Sequence, residues 1–225
     1  MQLQHELVDD IPVIIGFCKR LNLSEIVDSH FKTHGNHTGL SNGKLILGWI
    51  AHILSQGNHR KAPVAEWANT HKMTLQAFLE EEISNTEFED CRLGRLLDKF
   101  ADDQDWQNFE SSFYKNSFAV LRLDTVAPGE FKENPNAEEV GISKTLKIDS
   151  TTAYGHHEMI EGGIMQRGWS KDHRPDLPQL KIMASVEGKT GVSIASDIVP
   201  GNKPDDPLYV PIIERTMPIR LTPKT

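Results

Sequence analysis

The chain has 225 residues, a net charge of −8 and a hydrophobic fraction of 38%. This length suits one large folded domain or two smaller ones. No apolar run approaches the roughly 18 residues that a membrane span needs. The first ten residues lack the basic and apolar regions of a secretory signal. The sequence therefore predicts a cytoplasmic protein with no membrane partner.

The charge is spread unevenly but is acidic throughout, at −6 over residues 1–125 and −2 over residues 126–225. Contacts to DNA phosphates need Lys and Arg side chains. Neither part of the chain has the composition of a basic DNA-binding domain. Any contact with DNA would have to rest on local basic clusters.

Residues 1–124 are predicted to form a helical N-terminal domain. Apolar residues recur at helical spacing from Leu7 to Cys18. Ser41 stands where an N-cap would precede an apolar run that ends near Gly57. Thr74 is predicted to cap the helix that follows it. Further helices are expected over residues 22–31, 64–68, 88–100 and 106–121.

Residues 125–140 are polar and rich in Pro, Glu and Asn, which is typical of a linker. Residues 141–225 then change to strand patterns. Strands are predicted over residues 146–148, 179–187 and 192–199, with a tight turn, GKTG, that makes a hairpin of the last two. A helix is predicted over residues 208–217. The predicted fold class is therefore α+β, with three antiparallel strands and a helix after the helical domain.

Asp149 is the first candidate for chemistry. It follows a short apolar strand within KIDSTT, residues 147–152, so we expect it at the carboxyl end of that strand. Open α/β sheets bind ligands at the carboxyl ends of their strands, and Mg²⁺ prefers oxygen ligands such as a carboxylate. A structural interpretation is also open, because Asp commonly begins an Asx turn or caps a loop.

The segment GWSKDHRPDLPQ, residues 168–179, is dense in charge. Lys171, His173 and Arg174 are candidate DNA-binding residues, since Arg binds phosphate in a bidentate way and Lys supplies a point charge. The alternative is a surface loop whose acids neutralise its cations. Because the loop leads directly into the hairpin, it can fold back towards the first strand. That placement favours the functional interpretation.

Two other polar clusters carry weaker signals. Residues 41–79 fit a helix-turn-helix, in which a basic turn, GNHRKAP, joins two helices. The alternative is structural, because helical pairs of this kind are usually packing units. His156 and His157 are adjacent, so in an extended segment they point to opposite faces. We predict that they are surface residues and not zinc ligands.

KIDSTT, the loop of residues 168–179 and VPGN, residues 199–202, resemble the IS4 superfamily of bacterial insertion-sequence transposases in their order and spacing. The pattern is similar to the IS1634 type. The resemblance covers most of the chain, because the helical region resembles the domain that precedes the catalytic core in those proteins. The charged loop is its most specific part.

The resemblance implies an RNase H-like core that opens with three antiparallel strands and a helix. It also implies an Asp-Asp-Glu triad that binds two Mg²⁺ ions and catalyses DNA strand cleavage and strand transfer. The first triad residue maps onto Asp149, which would be both catalytic and a metal ligand. The implied partners are the DNA ends of an insertion element, and a second copy or a full-length transposase.

In the family pattern the second Asp and the Glu would lie beyond residue 225, so the resemblance is to a truncated N-terminal portion. Asp197, Asp205 and Asp206 are not expected to replace them. We therefore expect the Mg²⁺ site to be weak or absent, and the chain to be inactive in strand transfer by itself. The alternatives are a DNA-binding or dominant-negative regulator of transposition, and a fragment without function.

Overall fold

The computed structural model describes residues 5–121, 145–171, 173–188 and 190–217. Those residues form eight α-helices, one 3-10 helix and three strands, so the predicted mixed α+β class is confirmed. The chain divides into two compact units, Met1–Val120 and Leu121–Thr225. The predicted linker, residues 125–140, lies outside the described residues. Among those described, no helix has both the length and the apolar character needed to cross a membrane.

The first unit is helical, and seven helices follow one another along the chain. Their bounds are α1 Ile11–Arg20, α2 Leu23–His30, α3 Asn42–Gln56, α4 Val64–Thr70, α5 Lys72–Leu79, α6 Asp90–Phe100 and α7 Asp103–Val120. Apolar side chains from all seven helices pack into one core. Phe31 at the end of α2 lies against Phe100 and Phe109, with ring centroids 4.7 and 5.5 Å apart.

Local signals explain the bounds of α3 and the start of α1. Ser41 is the N-cap of α3, since its hydroxyl accepts from the Lys44 N–H at 3.1 Å, and Gly57 ends the helix in the left-handed conformation. Both predictions are confirmed. Leu7 was expected to start the first helix, but α1 begins at Ile11. Pro12 lies in its first turn, where proline is tolerated because that N–H has no helical partner.

The prediction that Thr74 caps α5 is wrong. The helix begins two residues earlier, and the Glu6 carboxylate accepts from the backbone N–H groups of Met73 and Thr74, at 2.9 and 2.7 Å. Burial by itself would raise the pKa of Glu6, but these hydrogen bonds outweigh it and lower that pKa below 4.5. Glu6, which is 68 positions from Thr74, therefore accepts hydrogen bonds from the first turn of α5. The sequence had assigned this capping role to Thr74 itself.

The second unit contains a three-stranded antiparallel sheet in the order β1-β2-β3. The strands are β1 Leu146–Tyr154, β2 Gln179–Glu187 and β3 Ser193–Pro200. A 3-10 helix, Asp206–Leu208, leads into α8, Tyr209–Thr216. Alternate residues of β2 are buried, and Met183 packs with Ala195 of β3 and Ile212 of α8. The helix therefore covers one face of this sheet.

The strand bounds correct two details of the sequence prediction. The second strand has the predicted bounds and the third is shifted by one residue, but β1 extends to Tyr154. Asp149 is therefore inside β1, opposite Ala184, and not at a carboxyl end. Thr151 and Thr152 continue the pairing with β2 because β-branched side chains suit a pleated sheet. Lys189, in the predicted turn, lies outside the described residues.

Helix α3 approaches α2 so closely that Gly43 has no room for a side chain. A Cβ on Gly43 would lie 2.1 Å from the Ser24 carbonyl oxygen, a backbone atom, whereas a Cβ on Gly16 would meet nothing within 4 Å. We predict that Gly43→Ala lowers the free energy of unfolding by roughly 1–3 kcal/mol because the helices must separate.

The matched control is Gly16→Ala in α1, which should raise stability by up to about 1 kcal/mol through helix propensity. Thermal unfolding followed by circular dichroism measures both variants. Equal effects of the two substitutions would contradict the close approach of α2 and α3.

Candidate functional site

Asp149 projects from the sheet into solvent. Its side chain is 88% exposed, and it lies on the face opposite Ser150, which pairs with the buried Met183. β1 has β2 on one side only within the described sheet. The N–H of Ser150 donates to Asp149 Oδ1 at 2.7 Å. The carboxylate is thus bound back to its own strand while keeping its access to solvent.

Lys171 of the charged loop lies against the same strand. Its Nζ donates to the Ser150 carbonyl oxygen at 2.5 Å and to Ser150 Oγ at 2.7 Å. The ammonium is also 3.7 Å from Asp149 Oδ1 and 3.8 Å from Asp205 Oδ2. The structure therefore brings two predicted site residues together, and it places a cation between two carboxylates.

A buried lysine anchors this arrangement. The Lys181 side chain on β2 is 5% exposed, and its ammonium forms an ion pair with Asp205 Oδ1. Ser150 Oγ donates to the other oxygen of Asp205 at 2.8 Å. The hydrogen bond from Lys181, followed by that from Ser150 and the charges of Lys181 and Lys171, outweighs burial and lowers the pKa of Asp205 below 3.8.

The backbone beside this cluster is held by a close crossing of two glycines. A Cβ on Gly168 would lie 2.3 Å from the Gly201 carbonyl oxygen, and a Cβ on Gly201 would lie 2.1 Å from the Gln179 carbonyl oxygen. Gln179 is fully buried, and its side-chain amide donates to the Trp169 carbonyl oxygen at 2.7 Å. Both glycines belong to the sequence motifs, and both are needed for steric reasons.

Arg174 is engaged within the charged loop. Its guanidinium forms a bidentate pair with Asp176, at 3.0 and 2.9 Å, and lies 5.8 Å from the ring centroid of Tyr154. The hydrogen bond from Arg174 is the main cause of a lowered pKa at Asp176. His173 is exposed and has a φ of +57°, a conformation uncommon for non-glycine residues. Asp172 lies outside the described residues.

The candidate DNA-binding residues thus differ in what surrounds them. Lys171 belongs to a polar cluster with Ser150, Lys181 and Asp205. Arg174 is paired with Asp176, and His173 is open to solvent. Their contact with DNA stays a prediction. Sequence reasoning did not find Lys181 or the role of Asp205. The one available signal was a lysine at a position where β2 alternates towards its buried face.

The other polar clusters have local partners or solvent around them. Asp197 is ion-paired with Arg215 of α8. His156 and His157 are exposed, as predicted for surface residues. In the basic turn of the helical unit, Lys61 Nζ lies 3.3 Å from Asp90 Oδ2, and Arg60 Nε donates to Asn58 at 3.2 Å.

The residues around Asp149 meet part of what a Mg²⁺ site requires. Mg²⁺ binds through one or two carboxylates with near-octahedral oxygen ligands. Here Asp149 supplies an exposed carboxylate, but Lys171 and Lys181 already neutralise Asp205. No group of three or more His, Cys, Asp or Glu residues among those described could hold a metal ion. This set fits one ligand and does not fit a two-metal site.

Comparison with known proteins gives one match. Residues 3–111 match a family model described as a domain of unknown function, DUF4277. That match covers most of the helical unit and does not reach Asp149. No curated protein and no solved structure matches the chain.

Removing the Asp205 charge tests the polar cluster. We predict that Asp205→Asn lowers the stability of the sheet unit by roughly 3 kcal/mol, because it leaves the buried Lys181 ammonium uncompensated. Amide hydrogen exchange at β2 measures the loss. Asp206→Asn is the matched control, since Asp206 is exposed, and we expect it to change exchange little. Equal losses in both variants would contradict the ion pair.

The same pair predicts a pH dependence. The pKa of Asp205 is lower in the folded protein than its ordinary value of 3.8. Its contribution to stability is therefore fully present above about pH 4 and is lost as the pH falls through the lower, folded pKa. Asp205→Asn should remove this part of the acid sensitivity of β2 exchange. An unchanged acid profile in the variant would count against the assignment.

Proposed function

We propose that this protein acts in DNA transposition as a DDE-type transposase resembling the IS4 superfamily, with Asp149 as one carboxylate of the catalytic site. The observation that carries the proposal is the 88% exposed carboxylate on β1, faced by Lys171 at 3.7 Å. Asp149 lies in KIDSTT and Lys171 in the loop of residues 168–179, two of the three segments on which the resemblance rests. The reaction proposed is metal-dependent cleavage and joining of DNA strands.

The order of elements around Asp149 supports this proposal. An RNase H-like core of the kind implied by the resemblance opens with three antiparallel strands and a helix. The second unit has β1, β2 and β3 in that antiparallel order, followed by α8. We propose that these elements are the opening part of such a core.

The charges around Asp149 define what the described residues can contribute. An exposed carboxylate repels a DNA phosphate, whereas a bound divalent cation would attract it. Asp149 would supply an oxygen ligand, and Ser150 N–H would hold that carboxylate in place. We propose that any further carboxylates come from outside the described residues.

The second candidate is DNA binding without catalysis, as in a regulator of transposition. It is favoured by the Lys171 ammonium, which lies 3.7 Å from Asp149 and 3.8 Å from Asp205, so that a cation already stands between these two carboxylates. In this role Asp149 would contribute only a repulsive charge near the DNA.

Binding of a DNA duplex with Mg²⁺ or with EDTA, at matched ionic strength, separates the two candidates. If Asp149 is a metal ligand, we predict that Mg²⁺ tightens binding by the wild-type protein and not by Asp149→Asn. A salt series should show a linear fall of log affinity with log salt, since phosphate contacts release counterions.

Asp206→Asn serves as the control for the loss of one exposed acid from the same unit. It should leave the response to Mg²⁺ intact. If Asp149→Asn binds DNA more tightly than wild type and Mg²⁺ affects both equally, the regulator is favoured. Absence of DNA binding at low salt would contradict both candidates.

A further inference from the structure

Trp169 presents its indole to solvent. It is 72% exposed, whereas Trp49 and Trp67 are buried in the helical core. Phe, Tyr and Trp side chains typically bury 150–250 Å² each when they pack. Leaving an indole in water forgoes that stabilisation, so its exposed position near the start of the charged loop calls for a physical role.

The backbone of Trp169 is fixed on both sides although its ring is exposed. Its carbonyl oxygen accepts from the buried Gln179 amide at 2.7 Å. Gly168 before it packs against Gly201. Ser170 after it is buried, and its hydroxyl accepts from the Arg174 N–H at 3.1 Å. The indole is therefore held out by a constrained segment, which lowers the entropy lost on binding.

The surroundings of Trp169 are locally cationic on an acidic chain. Residues 166–176 carry three Lys or Arg side chains and two acids, and Arg174 is paired with Asp176. Arg167 and His173 are exposed on either side of the tryptophan. The exposed Lys203 follows Asn202, whose Cα lies 3.0 Å from the position of a Cβ on Gly168. An exposed aromatic face on a segment that also carries exposed cations is complementary to a base with its phosphates.

We propose that Trp169 stacks on an unpaired base of DNA while Arg167 and Lys203 contact the flanking phosphates. This inference rests on the proposed function for DNA as the partner. The faces of a paired base are covered by its neighbours in the helix, so stacking needs a base that is unpaired or flipped. Aromatic stacking of this kind tolerates any sequence, because every base has an aromatic face.

The test compares two DNA duplexes of equal length, one fully paired and one with a central unpaired base. We predict that Trp169→Ala weakens binding to the second duplex roughly fivefold or more, from the stacking contribution. Binding to the paired duplex should change less than about twofold, because that duplex offers no free base face. Trp169→Phe should retain most of the affinity because it keeps a ring.

Ile160→Ala is the matched control. Ile160 lies in the same connection between β1 and β2, is 70% exposed and has no aromatic face. An unchanged melting temperature of Trp169→Ala shows that the exposed ring is not needed for folding. If Ile160→Ala loses as much affinity as Trp169→Ala, the surface is an apolar contact and stacking is wrong.

Three further outcomes overturn the inference in different ways. If wild-type protein binds both duplexes and Trp169→Ala binds each of them with the wild-type affinity, stacking fails while the proposed function stands. If the substitution weakens both duplexes to the same extent, base stacking is again excluded. If wild-type protein binds neither duplex, the proposed function and the inference fail together.

Discussion

The ion pair between Lys181 and Asp205 is the interaction on which the sheet unit depends. A lysine on the buried side of β2 requires an anion, because an unpaired charge in the interior costs several kcal/mol. Asp205 meets that need, and it comes from the segment after β3. The pair therefore holds this segment against the sheet, where Ser150 and Lys171 bind the same carboxylate.

Local features of the fold could be predicted from sequence, and long-range ones could not. The helix caps at Ser41 and Gly57 and the bounds of β2 follow from patterns within a few residues. Glu6, which accepts from the N–H groups of Met73 and Thr74, is 68 positions from Thr74, and Asp205 is 24 positions from Lys181. No residue pattern encodes such pairs, because tertiary packing decides them. The length of β1 was missed because its polar threonines follow Asp149.

The candidate site shows the same division between local features, which the sequence predicted, and long-range contacts, which it did not. Sequence identified Asp149 and Lys171, which lie together, and it left the charge of the loop open between contact with DNA and neutralisation within the loop. The structure commits much of that charge to internal contacts, since Lys171 is bonded to Ser150 and Arg174 to Asp176. Asp149, Trp169 and His173 are among the groups of this region that project outwards. KIDSTT and the charged loop thus combine residues whose side chains hold the loop in place with residues whose side chains are exposed to a ligand.

The central claim is that Lys181 and Asp205 organise this region as a coupled pair. A double-mutant cycle with Lys181→Met and Asp205→Asn, read by hydrogen exchange at β2 amides, tests it most directly. We predict a coupling energy of about 1–3 kcal/mol, with Asp205→Asn costing much less once the buried ammonium is gone. Strict additivity of the two substitutions would contradict the account.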